Sequence, residues 1–392
     1  MRPRGDYVKV CHIITGLGTG GAEHMLLKLV RAMPDEFEHV VVSLMDEGSM
    51  GAAIREAGAV VHTLGLRRGS LNARALISLR QILQRHSPDL LQGWMYHGNF
   101  VAQLARRVSP GRPPVVWTVR QSLHDIANEK RTTWILIQLG AVLSRGVPAI
   151  IYNSRTSAKH HEELGYRSGA TVVIPNGFEV ELYRPDPAAR VALRQALGVP
   201  AETPLVGIVA RHHPVKDHDT FLRGAAHLLA ANPDVHFVLV GRGIERTNAE
   251  LARLISELDL QHRVHLLGER RDVHHVTAGF DVATLCSLSE AFPNAVGEAM
   301  SCGVPTVVTD VGDAPMLVGD TGIVVPVRTP AALADAWRAL LAEPADVRKR
   351  RSTAARARIL DHFSIDAVAE QYASVYRVVG GARSGELQQQ AS

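Results

Sequence analysis

The stretch that most constrains the fold of this chain is residues 288–313, which read LSEAFPNAVGEAMSCGVPTVVTDVGD. Two short apolar runs, residues 281–286 and 305–309, lie just before it and near its end, and both are typical of buried strands. Between them Pro293 can begin a helix, because a missing N–H costs nothing in the first turn, and Gly303 can end it in a left-handed conformation. The stretch therefore predicts a strand, a loop, a helix and a second strand.

Two carboxylates flank the loop of this stretch. Glu290 lies in the loop and Glu298 on the predicted helix, with seven residues between them, and Asn294 lies in the first helical turn. A loop that leads from a strand end to a helix N-terminus presents N–H groups and a positive dipole to an anion. Carboxylates accept strong hydrogen bonds from hydroxyl groups. The pattern indicates a site for a long anionic ligand with hydroxyls, although either glutamate alone could be a cap or a surface charge.

A glycine loop near the N-terminus has a similar setting. Residues 8–14 predict a strand, and Gly16, Gly18, Gly20 and Gly21 separate it from a predicted helix. Glycines let backbone N–H groups approach a phosphate closely. The spacing Gly-x-Gly-x-x-Gly also matches a dinucleotide-binding fingerprint, which would fit an NAD-dependent oxidoreductase using the loop from Gly16 to Gly21. That function requires an acidic residue at the end of the second strand. An acidic pair does follow that strand, but somewhat later in the sequence than the fingerprint expects. This difference alone does not exclude the oxidoreductase, so the alternative stays open.

Strand and helix patterns alternate along the remaining chain, which predicts parallel sheets with functional residues at strand carboxyl ends. Two such ends in the first half carry His97 and Arg120, which we take as candidate ligand-contacting residues. An isolated histidine in this position is somewhat more often a structural turn residue than a ligand contact. The guanidinium group of Arg120 would suit a phosphate or a carboxylate.

A cationic pair follows the first predicted strand of the second half. Arg211 and Lys216 are five residues apart, between a strand pattern and a helix pattern, which suits a diphosphate clamp. Asp217 and Asp219 form an Asp-x-Asp sequence that holds a metal ion in some transferases. We interpret it instead as helix N-capping.

The run from Glu290 to Pro305 resembles the fingerprint of the retaining GT-B glycosyltransferases of family 4. That fingerprint is an acidic residue, seven residues, a second acidic residue and then Ala-Met-x-x-Gly-x-Pro. The resemblance extends from about residue 8 to residue 376. It implies an α/β fold of the GT-B type, in which two Rossmann-like domains face each other across a cleft.

The resemblance also implies a role for each candidate residue. Catalytic roles fall to Glu290, which would face the donor sugar, and to Arg211 and Lys216, which would neutralise the diphosphate. The nucleotide-sugar would further contact the ribose-binding Glu298 and a second group of residues, namely Gly20, Gly21, Gly268 and Asn294. Arg120 stands where the family commonly has a histidine, so the contact made there departs from the family pattern.

The implied activity is transfer of a sugar, with retention and without a metal or cofactor, from a nucleotide-sugar to an acceptor hydroxyl in glycan, polysaccharide or glycolipid biosynthesis. A UDP-sugar is the expected donor, and the acceptor would be a glycan, a lipid-linked molecule or a small molecule. The alternatives are the NAD-dependent oxidoreductase, a sugar-nucleotide epimerase of the same fold, and a non-catalytic sugar-nucleotide binding protein.

The length of 392 residues predicts two domains. We place the N-terminal, acceptor-side domain at residues 1–185 and the C-terminal, nucleotide-sugar-binding domain at residues 186–365. Residues 366–380 are expected to form a helix that packs back on the first domain, and residues 381–392 a disordered tail.

Charge and cysteine content indicate the cellular surroundings in which the protein is expected to act. Residues 1–185 contain 22 Lys and Arg against 15 Asp and Glu, a net charge of +7, whereas the remainder has a net charge of −3. A lipid-linked acceptor would then bring peripheral association with an anionic membrane, and we expect no nucleic-acid partner. The arginines concerned are Arg67, Arg68, Arg74, Arg80 and Arg85, on or beside a helix predicted over residues 71–84, and Arg106 with Arg107. Three cysteines without a CxxC pair fit buried thiols in the cytoplasm, at the inner face of the membrane in the lipid-linked case.

Overall fold

The structure is a computed structural model that describes residues 7–66, 72–123 and 131–381. The chain divides into two compact units. The first contains the described residues up to Gly177 together with those from Ile365 onward, and the second is Phe178–Ser364.

The first unit is built on a seven-stranded parallel sheet with the strand order β3-β2-β1-β4-β5-β6-β7. Its buried strands are near-continuous apolar runs, as expected where helices cover both faces of a parallel sheet. The strands are β1 (Val8–Ile14), β2 (Phe37–Ser43), β3 (Val60–Thr63), β4 (Leu90–Trp94), β5 (Val115–Val119), β6 (Ala149–Tyr152) and β7 (Thr171–Val173).

Two helical layers cover this sheet. One layer is α1 (Gly21–Ala32), α2 (Gly51–Glu56) and the last helix of the chain, α15 (Ile365–Gly381), which share one apolar cluster with the sheet. The other layer is α3 (Ala73–His86), α4 (Met95–Val108), α5 (Arg131–Leu143) and α6 (Arg155–Glu163), which share a second cluster. In α15 the side chains of Tyr372 and Tyr376 are fully buried, so this helix is an integral part of the first unit.

The second unit has a six-stranded parallel sheet with the order β10-β9-β8-β11-β12-β13. The strands are β8 (Leu205–Val209), β9 (His236–Val240), β10 (Val264–Leu266), β11 (Val282–Leu285), β12 (Thr306–Thr309) and β13 (Ile323–Val325). The helices are α7 (Pro187–Leu197), α8 (His218–Leu229), α9 (Ala249–Glu257), α10 (Val273–Ala278), α11 (Asn294–Ser301), α12 (Ala314–Val318), α13 (Pro330–Leu341) and α14 (Ala345–His362).

Each sheet has one point where the strand order reverses. In the first sheet this point lies between β1 and β4, and in the second between β8 and β11. Ligands of open parallel sheets bind outside the carboxyl ends of the strands at such a point, because the loops on either side diverge there. The glycine loop follows β1, the cationic pair follows β8 and the loop with Glu290 follows β11.

Several local predictions can be compared with the elements. Gly303 ends α11 with φ +70°, which confirms the left-handed stop, and all three cysteines are buried free thiols, as predicted. The basic stretch 338–358 is divided at Pro344 between α13 and α14, because proline cannot continue a helix. Within the described ranges, no helix is both long and apolar enough to cross a bilayer.

Candidate functional site

The centre of the candidate site is an ion pair between the loops that follow β8 and β11. Lys216 ends a short 3₁₀ turn, Pro214–Lys216, and its Nζ contacts Glu290 Oε1. The hydroxyl of Ser287 donates a second hydrogen bond to the same oxygen at 2.7 Å. The side chain of Lys216 is 24% exposed and that of Glu290 is 14% exposed. A fixed cation and a fixed anion therefore lie side by side at the reversal point of the sheet, half-shielded from water.

The backbone holds the two loops in register. The N–H of Leu288 donates to the carbonyl of Val215 at 2.8 Å, and Thr309 Oγ1 donates to the carbonyl of Ser287 at 2.7 Å. Behind Glu290 lies Gly312, with φ +54°, where an added Cβ would be 2.3 Å from the Glu290 carbonyl oxygen. Only glycine fits this close approach. The position of Glu290 is thus set by main-chain contacts that do not depend on its carboxylate.

The two aspartates after Lys216 serve helix α8. Asp217 has φ +49°, and its carboxylate accepts hydrogen bonds from the N–H of Thr220 at 3.3 Å and from the Thr220 hydroxyl at 2.7 Å. Asp219 pairs with Arg223 at 2.8 Å one turn further on. The predicted N-cap is confirmed. In the part of the chain that the structure describes, no three His, Cys, Asp or Glu side chains are grouped so that they could hold a metal ion.

Arg211 and Gly268 lie in loops that are joined at the same strand ends. The N–H of His212 donates to the carbonyl of Arg242 at 2.8 Å, and the N–H of Gly241 donates to the carbonyl of Gly268 at 2.9 Å. Gly268 has φ +67°, a conformation that favours glycine. The side chain of Arg211 is exposed and makes no ion pair with any described residue. A cation held by its backbone but not by a carboxylate is suited to an incoming anion.

Helix α11 carries the other two predicted contacts of this unit. It begins at Asn294, and its N-cap residue, Pro293, makes no side-chain cap hydrogen bond. One turn later, Glu298 receives a hydrogen bond from Tyr183, a residue that the sequence analysis did not single out. Burial, together with the nearby charge of Glu298, raises the pKa of the Tyr183 hydroxyl well above its usual value. Tyr183 therefore stays a hydrogen-bond donor to this carboxylate, and nothing in its sequence context marks it as one.

The glycine loop of the first unit has the predicted position at a helix start. Gly20 is the N-cap residue of α1, and Gly21 is the first residue of the helix. An added Cβ on Gly20 would be 2.2 Å from Glu23 Oε2, so the Glu23 carboxylate lies directly over the helix start. Burial raises the pKa of Glu23 above its ordinary value. The loop thus combines a close backbone approach with a half-buried acid.

His97 and Arg120 follow adjacent strands of the same sheet. His97 is half-buried in the first turn of α4, which begins directly after β4. Arg120 donates to the Tyr372 hydroxyl at 3.0 Å and to the side-chain oxygen of Asn176, and its guanidinium lies 5.9 Å from the Trp94 ring centroid. Desolvation lowers its pKa. Both terminal nitrogens of Arg120 already bond within the first unit, so this arginine anchors α15 to the strand ends.

Two Rossmann-like units in one chain, with a lysine–carboxylate pair at the reversal point of the second sheet, are the architecture of a GT-B glycosyltransferase. Two family models match the chain. Glycosyltransferase Family 4 covers residues 19–182, and Glycosyl transferases group 1 covers residues 203–343. Together the two models cover most of the chain, which belongs to these GT-B, group 1 glycosyltransferases, and glycosyl transfer is its activity. Neither the NAD-dependent oxidoreductase nor the epimerase is favoured.

Individual relatives agree with the family. The chain is 24% identical over 317 residues to the Escherichia coli UDP-Gal:alpha-D-GlcNAc-diphosphoundecaprenol alpha-1,3-galactosyltransferase, covering 79% of this chain and 81% of that protein. It is 32% identical over 247 residues to the D-inositol 3-phosphate glycosyltransferase of Kineococcus radiotolerans, covering 57% of this chain and 56% of the relative. The crystal structure of Anabaena Alr3699/HepE in complex with UDP is 26% identical, with a TM-score of 0.82 over 95% of this chain and 100% of that one.

Proposed function

We propose that the protein transfers a sugar from a UDP-sugar to an acceptor hydroxyl with retention at the anomeric carbon. The observation that carries this proposal is the Lys216–Glu290 pair at the β8–β11 reversal point. The carrier is inferred from the relatives, because the E. coli enzyme is named for UDP-Gal and the Anabaena protein was crystallised with UDP and with UDP-glucose.

The diphosphate would lie against cations that the chain itself supplies. Arg211 is exposed, and Lys216 is fixed between the two loops, so together they offer charge to the leaving group. The first turn of α11, at Asn294, adds the positive end of a helix dipole. Preorganised charge of this kind is usually the largest catalytic contribution. In this proposal these groups take the part that a metal ion plays in other transferases.

The two carboxylates would each bind one of the remaining parts of the donor, the sugar or the ribose. Glu290, held by Lys216 and Ser287, would orient the sugar and stabilise positive charge that develops at its ring. Glu298, held by Tyr183, would accept hydrogen bonds from the ribose hydroxyls. Gly268 would leave room for the base. The acceptor oxygen would attack on the face from which the diphosphate departs, with a phosphate oxygen taking its proton.

For the acceptor we propose a lipid-linked molecule at an anionic membrane surface, on the cytoplasmic side that the free thiols favour. Arg74, Arg80 and Arg85 are all exposed on α3, and Arg107 is exposed at the end of α4. Arg67 and Arg68, which also belong to this prediction, lie outside the described residues. Lipid headgroups of opposite charge would attract the arginines.

The test is thermal unfolding with UDP-, GDP- and ADP-sugars, followed by analysis of the product. A ligand present at about 100 times its Kd stabilises the folded state by ~2.7 kcal/mol, so the true donor class should raise the midpoint most. NMR of the isolated product should then give the same anomeric configuration as the donor. An inverted product would refute retention, and stabilisation by GDP- or ADP-sugars alone would refute the UDP assignment.

A further inference from the structure

Helix α5 presents an apolar line to solvent instead of a polar one. Ile135, Leu139 and Val142 are 55%, 44% and 62% exposed, and their spacing of four and three residues places them on one face of the helix. The opposite side is packed, because Ile137 is fully buried and a Cβ on Gly140 would be 2.1 Å from the Tyr166 hydroxyl. Single exposed apolar residues are ordinary on protein surfaces. Three exposed apolar side chains in a row along one helix face indicate that this face binds a partner that covers it.

The helical layer that contains α5 is strongly basic. Helices α3, α4 and α5 together contain six arginines and no Asp or Glu, and α6 adds two cations and two glutamates. The layer on the opposite face of the same sheet, made of α1, α2 and α15, contains four Lys and Arg and four Asp and Glu. The positive charge of the N-terminal half is therefore concentrated on the face that also carries the apolar line.

Arginines lie at both ends of the apolar line. Arg131 begins α5, and Arg145 lies just beyond its last residue. Arg167 donates to the Arg145 carbonyl at 3.3 Å, and both side chains are exposed. Helix α4, which packs against α5, ends with Arg106 and Arg107. No Asp or Glu occurs between residues 131 and 161, the stretch that contains α5, Arg131 and Arg145.

We propose that the α3–α5 layer docks on an anionic lipid bilayer, with Ile135, Leu139 and Val142 entering the boundary between headgroups and acyl chains. An apolar centre with basic margins is the pattern of helices that lie in a membrane interface. A second copy of this chain fits less well, because a two-fold contact through α5 would bring arginines against arginines without a compensating acid. The inference rests on the membrane association proposed above but not on glycosyl transfer, so its test contains neither donor nor acceptor.

The first measurement is cosedimentation of the full chain with phosphatidylcholine vesicles, with and without about 30% phosphatidylglycerol. Replacing the three apolar residues by glutamine (I135Q/L139Q/V142Q) should weaken binding to the anionic vesicles by ~10-fold or more and leave a remainder that high salt abolishes. The matched control places the same change at exposed apolar positions elsewhere, V191Q/L360Q/V378Q, and should stay within about twofold of the unmodified chain.

The second measurement separates charge from insertion. R74Q/R80Q/R85Q should weaken anionic-vesicle binding at low salt, whereas R253Q/R338Q/R350Q, which removes the same charge from helices of the second unit, should not. All three native cysteines are buried, so a new exposed cysteine can be labelled selectively. An environment-sensitive dye at Val142→Cys should shift to the blue on anionic vesicles, and the same dye at Val378→Cys should not.

Three outcomes would overturn the proposal. The first is no binding to anionic vesicles at low salt by a chain that still unfolds cooperatively. The second is equal dye shifts at positions 142 and 378. The third is a dye shift at position 142 that follows protein concentration without vesicles, together with a dimer in sedimentation that I135Q/L139Q/V142Q abolishes. Loss of transfer activity would bear on the proposed function alone, because none of these measurements depends on it.

Discussion

Replacement of Glu290 by glutamine isolates the charge of this residue from its shape. The glutamine side-chain oxygen can still accept hydrogen bonds from Lys216 and from the Ser287 hydroxyl. The loop itself is fixed by main-chain contacts, including Leu288 to Val215 and the close approach of Gly312. We therefore expect the variant to fold normally and to lose only what the negative charge contributes.

The structure sets the scale of two separate effects. Lys216 is 24% exposed and Glu290 is 14% exposed, so solvent partly screens the pair and its loss should cost about 1 kcal/mol of stability or less. For a unit the size of Phe178–Ser364 this corresponds to roughly 2–4 °C in the unfolding midpoint. A preorganised group that meets developing charge contributes more, about 2.7–4 kcal/mol, so turnover should fall ~100- to 1000-fold.

The assay compares turnover at saturating donor, UDP affinity by calorimetry and the unfolding midpoint. Ser287→Ala is the matched control, because it removes one neutral hydrogen bond to Glu290 and keeps the charge. It should cost about 1 kcal/mol, or roughly fivefold in turnover. Near-normal turnover of Glu290→Gln with unchanged UDP affinity would refute a catalytic charge here. An equally inactive Ser287→Ala variant would show that loop geometry, and not the carboxylate charge, limits the rate.

Four further predictions concern single residues. Lys216→Ala should weaken UDP binding ~10- to 100-fold while uridine binding changes little, and equal losses would place Lys216 away from the diphosphate. Glu298→Gln should reduce the preference for UDP over its 2′-deoxy analogue, and an unchanged preference in calorimetry would exclude ribose contact. Arg194→Ala leaves Asp281, 8% exposed, without its most buried partner and should cost about 3–5 kcal/mol in urea unfolding, without loss of activity per folded molecule. Burial lowers the pKa of His161 to about 4. At a pH between this value and the ordinary histidine pKa, the unfolded chain is protonated at His161 and the native state is not. Stability should therefore fall as pH drops from about 6.5 towards 4, and His161→Gln should flatten that dependence by up to about 1.4 kcal/mol per pH unit.

The main elements of the fold follow from local patterns in the sequence. The run at residues 8–14 predicts β1 with its observed bounds, and the loop, helix and glycine stop after β11 have the predicted order. The helical first turn of α4 is harder to predict from the sequence, because Tyr96, His97 and Asn99 look like loop residues in isolation. They are helical because the chain turns directly at Met95, with φ +60°, and Gly98 packs against the Ile13 carbonyl. That contact comes from a distant strand, and local propensity does not contain it.

The candidate site also contains some residues that the sequence identifies and others that it does not. The sequence singles out Glu290 and Lys216 by their places after predicted strands and by the family resemblance, and the structure brings the two into contact. Tyr183 and Gly312 were missed because their roles arise from positions 115 and 22 residues away in sequence, at Glu298 and Glu290. The side-chain contacts of Arg120 could not be read from its own stretch either, since one of its partners, Tyr372, lies 252 residues further on.

The two cations of the proposed diphosphate site are unlike, and the difference suggests a division of labour. Lys216 already has a counter-ion, so an arriving diphosphate would share this lysine with Glu290 and be drawn towards the carboxylate that orients the sugar. Arg211 is exposed and pairs with no acid among the described residues, so its charge is available before the donor binds. An unpaired surface cation acts mainly on encounter and affinity, whereas a shielded, hydrogen-bonded one is positioned for the transition state. Arg211 would therefore capture the donor, and Lys216 would couple its leaving group to Glu290.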